Sequence, residues 1–485
     1  KDTLKWLFRN SKKQLFKMIT LIVGNGLFAA SSIIFSLTCR DIIDSATAHS
    51  KNDIIKYGIC LFCIIMGQLI LRLYCNSVSE YIRSRLAMDM RAKMLDMIMK
   101  KEYSNVSAFH SGELLNRMFS DVRIVSEGLT SILPSLINMI TRILCAVVVL
   151  IALDKSFTLL FIVSGLLMFF VTRLFRKRMK ALHKEVQERE GKVRSFLQET
   201  LENILIVKVF GCEEQMQDTN DENQNEHFRS QMKRRTLSIF ANAGFSFVFQ
   251  MGYLFAMIWG SFGIYSATMT YGTLTAILQL VNQIQSPFAN LSGLMPQLYG
   301  VIASAERIME LEGLPDERIS DRKLEYKDFE KITITGMDFS YGDNHVLKNV
   351  NIDIAKGDFV SLTGLSGGGK STLFLLLLGA YQPDCGSISY IAGKEKYLCG
   401  HETRPLFAYV PQGNFLFSGT VEENIRLLNK GASREDVITA AKVACAYDFI
   451  ESLPDGFDTK VGEKGFGISE GQAQRIAMAR AILGN

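Results

Sequence analysis

Residues Gly364-Leu365-Ser366-Gly367-Gly368-Gly369-Lys370-Ser371 set adjacent glycines directly before a cation and a hydroxyl, with Thr372 next. The spacing fits G-x-x-x-x-G-K-[ST], and each residue type has a chemical use there. Glycines let successive backbone N–H groups converge on phosphate oxygens, and a following helix N-terminus favours negative charge. Lys370 would reach the β- and γ-phosphates, and the Ser371 hydroxyl would ligate Mg2+. Adjacent glycines alone could make no more than a tight loop. Here an apolar run at 358–363 reads as a strand before the loop, and Ser371–Leu378 reads as a helix after it. That context points to binding of a nucleoside triphosphate.

The elements that position this loop occupy only the end of the chain. Its 485 residues are 48% hydrophobic and 21% charged with a net charge of +5, which excludes a disordered chain. Its 54 basic and 49 acidic residues are too many for a wholly embedded protein. The mean hydropathy of +0.14 reads as an average over two unlike halves.

The first half carries the apolar stretches. No charged residue occurs from Met18 to Cys39, a run long enough to cross a hydrocarbon core of roughly 30 Å. Similar stretches cover Tyr57–Ser79, Gly128–Leu153 and Ser156–Thr172. Between Arg235 and Glu306 a longer one reads as two spans with a turn near Ser266–Gly272. One such stretch could be a buried core helix, but six in succession predict a six-span membrane domain. Lys1, Lys5, Arg9, Lys12, Lys13 and Lys17 precede the first span against Asp2 alone, which places the N-terminus in the cytoplasm. The long inner segments Glu80–Glu127 and Arg173–Arg235 have helical spacing of apolar and charged residues, so the transmembrane helices are expected to run on into water. The first span is not a cleavable signal, since comparable spans follow it.

Beyond Glu306 the texture changes. Leu311–Glu330 is a mixed-charge linker containing Pro315, and β-like runs at Ile332–Phe339, Phe359–Thr363 and Phe407–Val410 follow, interleaved with helical segments. This is an α/β pattern. The nine cysteines are scattered. Cys60 and Cys63 form C-x-x-C inside a span, where they read as two small apolar residues on one helix face.

A second motif narrows the class. Gly467-Ile-Ser469-Glu470-Gly471-Gln472-Ala-Gln-Arg475 resembles the signature segment of ATP-binding cassette (ABC) ATPases, written LSGGQ-x-QR. Tyr341 in Phe-Ser-Tyr-Gly resembles the aromatic A-loop that stacks on adenine, and Gln412 in Val-Pro-Gln-Gly resembles the Q-loop. Phe417-Ser-Gly-Thr-Val-Glu-Glu-Asn424 and Val461-Gly-Glu-Lys-Gly465 resemble further exporter segments. Ser111-Gly-Glu-Leu-Leu-Asn-Arg117 with Asp121-Val122 resembles the G-x-x-x-x-R…D-V pattern that follows the first coupling helix. Essentially the whole chain resembles an exporter-fold ABC half-transporter: a six-helix all-α transmembrane domain over 1–310, a linker over 311–330, and a P-loop α/β ABC ATPase domain over 331–485.

The resemblance implies ATP and Mg2+ as ligands. Tyr341 and Gly364 to Thr372 would hold the nucleotide, with Ser371 and Gln412 on Mg2+. Ser469, Gly471 and Gln472 would meet the γ-phosphate held by a second half-transporter, so a homo- or heterodimer is implied. Each residue has an ordinary alternative: Tyr341 as a turn tyrosine, Gln412 as a solvated loop residue, Ser469 as a helix cap. Segments Ser104–Gly112 and Glu202–Cys212 would rest on the cassettes. The expected setting is a bacterial plasma membrane with the ATPase domain cytoplasmic, without nucleic acid.

Departures from the family bear on activity. Leu365 and Gly368 replace common Pro and Ser, and Ile468 and Glu470 replace Leu and Gly; the Glu470 carboxylate is expected to point outward. In the family a hydrophobic strand ending in Asp-Glu and a later switch His follow. The chain starts at Lys1 and ends at Asn485, so the expectation is a cassette truncated before Walker B, lacking the catalytic Glu and hydrolysing poorly alone. Arg142 falls near the middle of the third span, where a cation costs at least roughly 2.5 kcal/mol unless it faces a cavity or partner. It is expected to line a substrate path and favour anionic or polar groups. Pro287 and Pro296 would kink the last span. The implied function is ATP-driven export of a drug, lipid or peptide. Alternatives are an importer on the same fold, a soluble ABC ATPase of DNA repair or translation, and a non-transporting sensor.

Overall fold

The computed structural model describes residues 2–318, 322–413, 416–462 and 467–484, without side chains at 160–177, 245, 286–293 and 295. Helices come first along the chain: α1 (Asp2–Ser11), α2 (Leu15–Thr47), α3 (Lys51–Lys100), α4 (Tyr103–Val106), α5 (Ser111–Asn116), α6 (Val122–Leu153), α7 (Lys155–Glu202), α8 (Ile204–Phe210), α9 (Glu213–Tyr265) and α10 (Tyr271–Glu312). Strands β1 (Lys331–Tyr341) and β2 (Asn344–Ala355) follow, then α11 (Lys370–Leu377), β3 (Cys385–Ala392) and β4 (Glu395–Leu398). The chain closes with β5 (Gly419–Thr420), α12 (Val421–Ile425), α13 (Arg434–Val443), α14 (Tyr447–Glu451), β6 (Lys460–Val461) and α15 (Glu470–Gly484). Contacts divide it into two units, Lys1–Asp96 with Ser111–Glu312, and Met97–His110 with Gly313–Asn485.

In the first unit every predicted span lies within one long helix. With 33, 50 and 53 residues, α2, α3 and α9 are about 50, 75 and 80 Å long at 1.5 Å per residue. They exceed a hydrocarbon core of roughly 30 Å, as the helical spacing beyond the spans predicted. Among the described residues, the helical stretches Asp2–Thr47, Lys51–Lys100, Ser111–Leu153 and Glu213–Tyr265 are long and apolar enough to cross a membrane. On α3, Ile55, Ile59, Phe62, Leu69, Ile70 and Leu73 are all exposed. A row of apolar side chains this long needs lipid or another chain against it.

Inside the unit, Ile33 of α2, Ala146 and Leu150 of α6, Phe157 of α7, Ala256 of α9 and Ile277 and Leu280 of α10 form one core. The pairing of α6 with α10 is close enough that a Cβ at Gly128 would lie 2.0 Å from a Val301 methyl. At one end of this bundle, Asp154 caps α7 by accepting from Phe157 N (3.0 Å) and also accepts from Trp259 Nε1 (2.8 Å). The Nε atom of Arg142 is buried and has no hydrogen-bond partner among the described residues.

The motif residues Arg117 and Asp121 fasten the other end of α10. They bound a π-helical turn between α5 and α6 and are both buried. Asp121 accepts from Ser304 Oγ (2.9 Å) and from two nitrogens of Arg307. Arg117 donates to Glu113, to Glu310 (2.8 Å) and to the Arg307 carbonyl (2.7 Å). A buried carboxylate and a buried guanidinium thus each satisfy several partners, the condition under which buried charge is tolerated.

The second unit holds two cores. In one, the antiparallel sheet β2-β1-β3-β4 packs through Ile334, Met337, Phe339, Ile388 and Tyr390 against Leu373, Leu376 and Leu377 of α11. Leu324 and Phe329, from the stretch expected to be linker, are buried in it as well. Cys399 is buried there, and that burial pushes its thiol up to about 11, which makes it unreactive. In the other core, Val421, Val437, Ala440, Ile450 and Phe457 pack against Ala473, Ile476 and Ala479 of α15. Helix α4 belongs to this unit: Glu102 N donates to Pro315 O (3.3 Å), Glu317 N to Lys100 O (2.8 Å), and Lys101 pairs with Asp316 (2.7 Å).

Two strand expectations fail. The runs Phe359–Thr363 and Phe407–Val410 form no strand. Apolar composition makes a run compatible with a sheet, but a strand exists only where a neighbour accepts its N–H groups. Neither run has such a neighbour among the described residues, and Phe359 is 100% exposed. Amides at Phe359–Thr363 should therefore exchange within seconds while those of β1 are protected by orders of magnitude; equal protection, read by exchange mass spectrometry, would contradict this arrangement.

Candidate functional site

The glycine loop is built by backbone conformations that favour glycine. Gly364, Gly367 and Gly369 have φ of +152°, +83° and +79°. Nothing lies within 4 Å of where a Cβ would stand at Gly364 or Gly367, so the rim is open. Gly369 is the reverse. It is buried, and a Cβ there would come within 2.8 Å of Leu347 and 3.0 Å of Val346, both in β2. The loop is therefore pressed onto the β1–β2 hairpin, and α11 starts immediately after it.

Lys370 bends back over the loop. Its Nζ donates to the carbonyls of Gly364 (2.9 Å) and Leu365 (2.7 Å). Neutral carbonyls are weaker acceptors for an ammonium than an anionic oxygen, so a phosphate could take their place. Ser371 is exposed at the start of α11, whereas Thr372 is buried behind it, and Leu365 is exposed on the rim. Ser366 and Gly368 complete the loop, with Gly368 N donating to Leu365 O (3.1 Å). Open backbone N–H groups, a helix start and a half-buried cation held only by neutral carbonyls fit a polyphosphate. The exposed Ser371 hydroxyl fits a metal bound to that phosphate.

Tyr341 ends β1, where it pairs with Asn344 across the hairpin turn. It is 42% exposed. Its ring meets Phe339 edge-on at 4.9 Å and Tyr381 at 5.4 Å. Because Val346 and Leu347 of the same hairpin touch Gly369, the sheet carries Tyr341 to the side of the phosphate loop. Gln412 lies exposed on its loop, and no hydrogen bond joins it to Ser371 among the described residues.

Ser469 immediately precedes α15, and Gly471 and Gln472 lie in its first turn. Ser469 N donates to Gln472 Oε1 (2.9 Å), and Gln472 N donates to Ser469 Oγ (3.3 Å). This reciprocal pair satisfies two helix-end donors in the manner of a capping box, so the ordinary role of Ser469 is realised. Glu470 is exposed in the first turn. The phosphate loop and Tyr341 stand on one core and Ser469–Gln472 on the other. Of Val461-Gly-Glu-Lys-Gly465, residues 463–465 lie outside the described residues, as does the side chain of Pro287.

Two residues mattered more than their sequence context suggested. Asn424 is buried and joins Phe417, Thr420 and Arg480. Tyr381 touches both Tyr341 and α4. Four residues beyond α11 in sequence, it carries no signal but its aromaticity.

Both halves of the chain match known proteins. A family model described as the ABC transporter transmembrane region matches residues 15–288, more than half of the chain, and one described as ABC transporter matches 347–485. The chain is 28% identical, over its whole length, to "ABC transporter B family member 1" of Dictyostelium discoideum, and spans 54% of that protein. It is 29% identical over 96% of its length to an "ATP-dependent lipid A-core flippase" of Syntrophus aciditrophicus, covering 78% of it. The similarity to the protein of the same description from Thiobacillus denitrificans is 30% over 98% of the chain and 83% of the relative.

Proposed function

The chain belongs to the ABC transporter family, and from that premise we propose that it is one half of an ATP-driven exporter of amphipathic molecules. The observation that carries this reading is the pairing, in one chain, of membrane-length helices bearing exposed apolar rows with a phosphate-binding loop. Gly364 to Thr372 cradle the triphosphate, and Tyr341 supplies a platform for the adenine. Ser371 and Gln412 are the residues that would hold Mg2+, which neutralises phosphate charge when bound. Ser469 and Gly471 are exposed and Gln472 half-buried at the start of α15, and they would close over the γ-phosphate held by a second half-transporter. That arrangement needs a dimer, either of two copies or with a related half.

The N-terminal cations and the helix lengths support a multi-pass protein of the plasma membrane, with the nucleotide-binding part in the cytoplasm. Two relatives are named as lipid A-core flippases, which favours a lipid as cargo, and a cation within a span favours one with an acidic headgroup. Arg142 supports the same choice, since the Nε atom is buried without a hydrogen-bond acceptor among the described residues. Full-length protein reconstituted in vesicles should move a fluorescent acidic phospholipid analogue in an ATP-dependent manner. Arg142→Ala should slow that movement about tenfold, the loss of one charge-assisted contact, and leave a zwitterionic analogue little affected. Equal rates for both analogues in both proteins would reject the role of Arg142, and absence of ATP-dependent movement would reject the exporter.

A further inference from the structure

We propose that Tyr381 is a positioning residue that ties occupation of the adenine platform to the short helix α4. The inference rests on the reading of Tyr341 as that platform. Tyr381 is placed by the phosphate-binding helix itself. Helix α11 begins at Lys370, ends at Leu377, and turns at Gly379 (φ +66°) to deliver Tyr381 four residues later. From there the ring reaches in two directions. On one side it stands edge-on to Tyr341 at 5.4 Å and to Phe339 at 5.5 Å. On the other it stands edge-on to Tyr103 of α4 at 5.8 Å, and its hydroxyl lies 3.2 Å from Ser107 Oγ, just past the end of α4.

Tyr381 therefore contacts the adenine-side tyrosine, the start of α4 and the residue that ends it, while being covalently joined to the helix that receives the phosphates. A core aromatic with no such role would need neither the hydroxyl contact nor partial exposure. Helix α4 follows α3 in the chain, separated from it by Lys101 and Glu102 alone. Any change in the Tyr341 ring on stacking against a base must be accommodated by its edge-on neighbours, and Tyr381 is the neighbour that also holds α4. Edge-on pairs have a narrow range of good geometry, so a shift on one side is felt on the other.

The test uses the full-length protein in nanodiscs with a saturating non-hydrolysable ATP analogue. Backbone amide exchange over residues 103–107 is read by mass spectrometry. In the native protein the analogue should slow this exchange about fivefold or more, the usual lower range of coupling between two sites. In Tyr381→Leu the slowing should fall below about twofold, although the analogue still binds. Undiminished slowing in that variant would overturn the proposal. Should Tyr381→Leu not fold, Tyr381→Phe combined with Ser107→Ala removes only the hydroxyl contact. Loss of about half the slowing there supports the link, and no loss overturns it. Tyr341→Ala separates the two readings. If it binds the analogue as tightly as the native protein, the adenine platform itself is refuted. If binding weakens there while Tyr381→Leu responds normally, the link through Tyr381 alone is refuted.

Discussion

Lys370→Ala in the full-length protein should weaken ATP binding roughly 10- to 150-fold, without loss of the fold. The magnitude follows from one charge-assisted hydrogen bond to an anionic oxygen, worth about 1.5–3 kcal/mol. The fold should survive because the side-chain bonds Lys370 makes among the described residues are local, to the Gly364 and Leu365 carbonyls of its own loop. Those carbonyls face the open rim and can be hydrated once the ammonium is gone. Lys370→Arg should be intermediate, since it keeps the charge but presents a planar fork in place of a compact ammonium. Titration with a fluorescent ATP analogue checks both. Affinity unchanged in the alanine variant would mean that the loop is a structural turn, whatever its spacing resembles.

The largest loss of stability should come from Asn424→Ala. Asn424 is 2% exposed. Its Nδ2 donates to the carbonyls of Phe417 (2.8 Å) and Thr420 (3.0 Å), and its Oδ1 accepts from Phe417 N (2.8 Å) and Arg480 Nη2 (3.0 Å). One side chain thus closes the loop before α12 and anchors the far end of α15. Truncation leaves several buried groups without partners at about 1–3 kcal/mol each before relaxation. The Asn424 carbonyl still accepts from Arg480 Nε (2.8 Å), which limits the damage. A net loss of about 3–5 kcal/mol is expected, at the upper end for single substitutions. Asn424→Asp keeps the acceptor for Arg480 but aims a carboxylate at two carbonyls, so it should recover little. Exchange protection over residues 416–462 and 467–484 measures the effect; a loss below about 1 kcal/mol would show that water replaces the amide.

The two variants also separate two kinds of legibility. Lys370 was identifiable because its chemistry is local: eight consecutive residues carry the glycine conformations, the cation and the hydroxyl together. Asn424 was identifiable only as part of a segment resembling other exporters, because its partner Arg480 lies 56 residues away. The same contrast runs through the helical unit. The long apolar runs marked the spans, and the apolar spacing beyond them marked helices that continue into water. Nothing in the spacing of Ser111 to Val122 revealed that Arg117 and Asp121 grip Arg307, Glu310 and Ser304 near the end of α10.

The glycine loop sharpens the division. Sequence alone determined that a glycine-rich loop ending in a cation and a hydroxyl stands before a helix, that membrane-length helices precede it, and that a helix follows Ser469. Each of these depends on interactions within a few residues, or on hydrophobicity summed along one segment. Tertiary structure alone decided that Gly369 is pressed onto Val346 and Leu347, which carries Tyr341 to the loop, and that Tyr381 touches both Tyr341 and α4. It also decided that the apolar runs 359–363 and 407–410 pair with no strand among the described residues. Propensity and spacing act on one segment, whereas a strand's hydrogen bonds and an aromatic edge-to-face contact belong to two, and the second partner is set by how the whole chain packs.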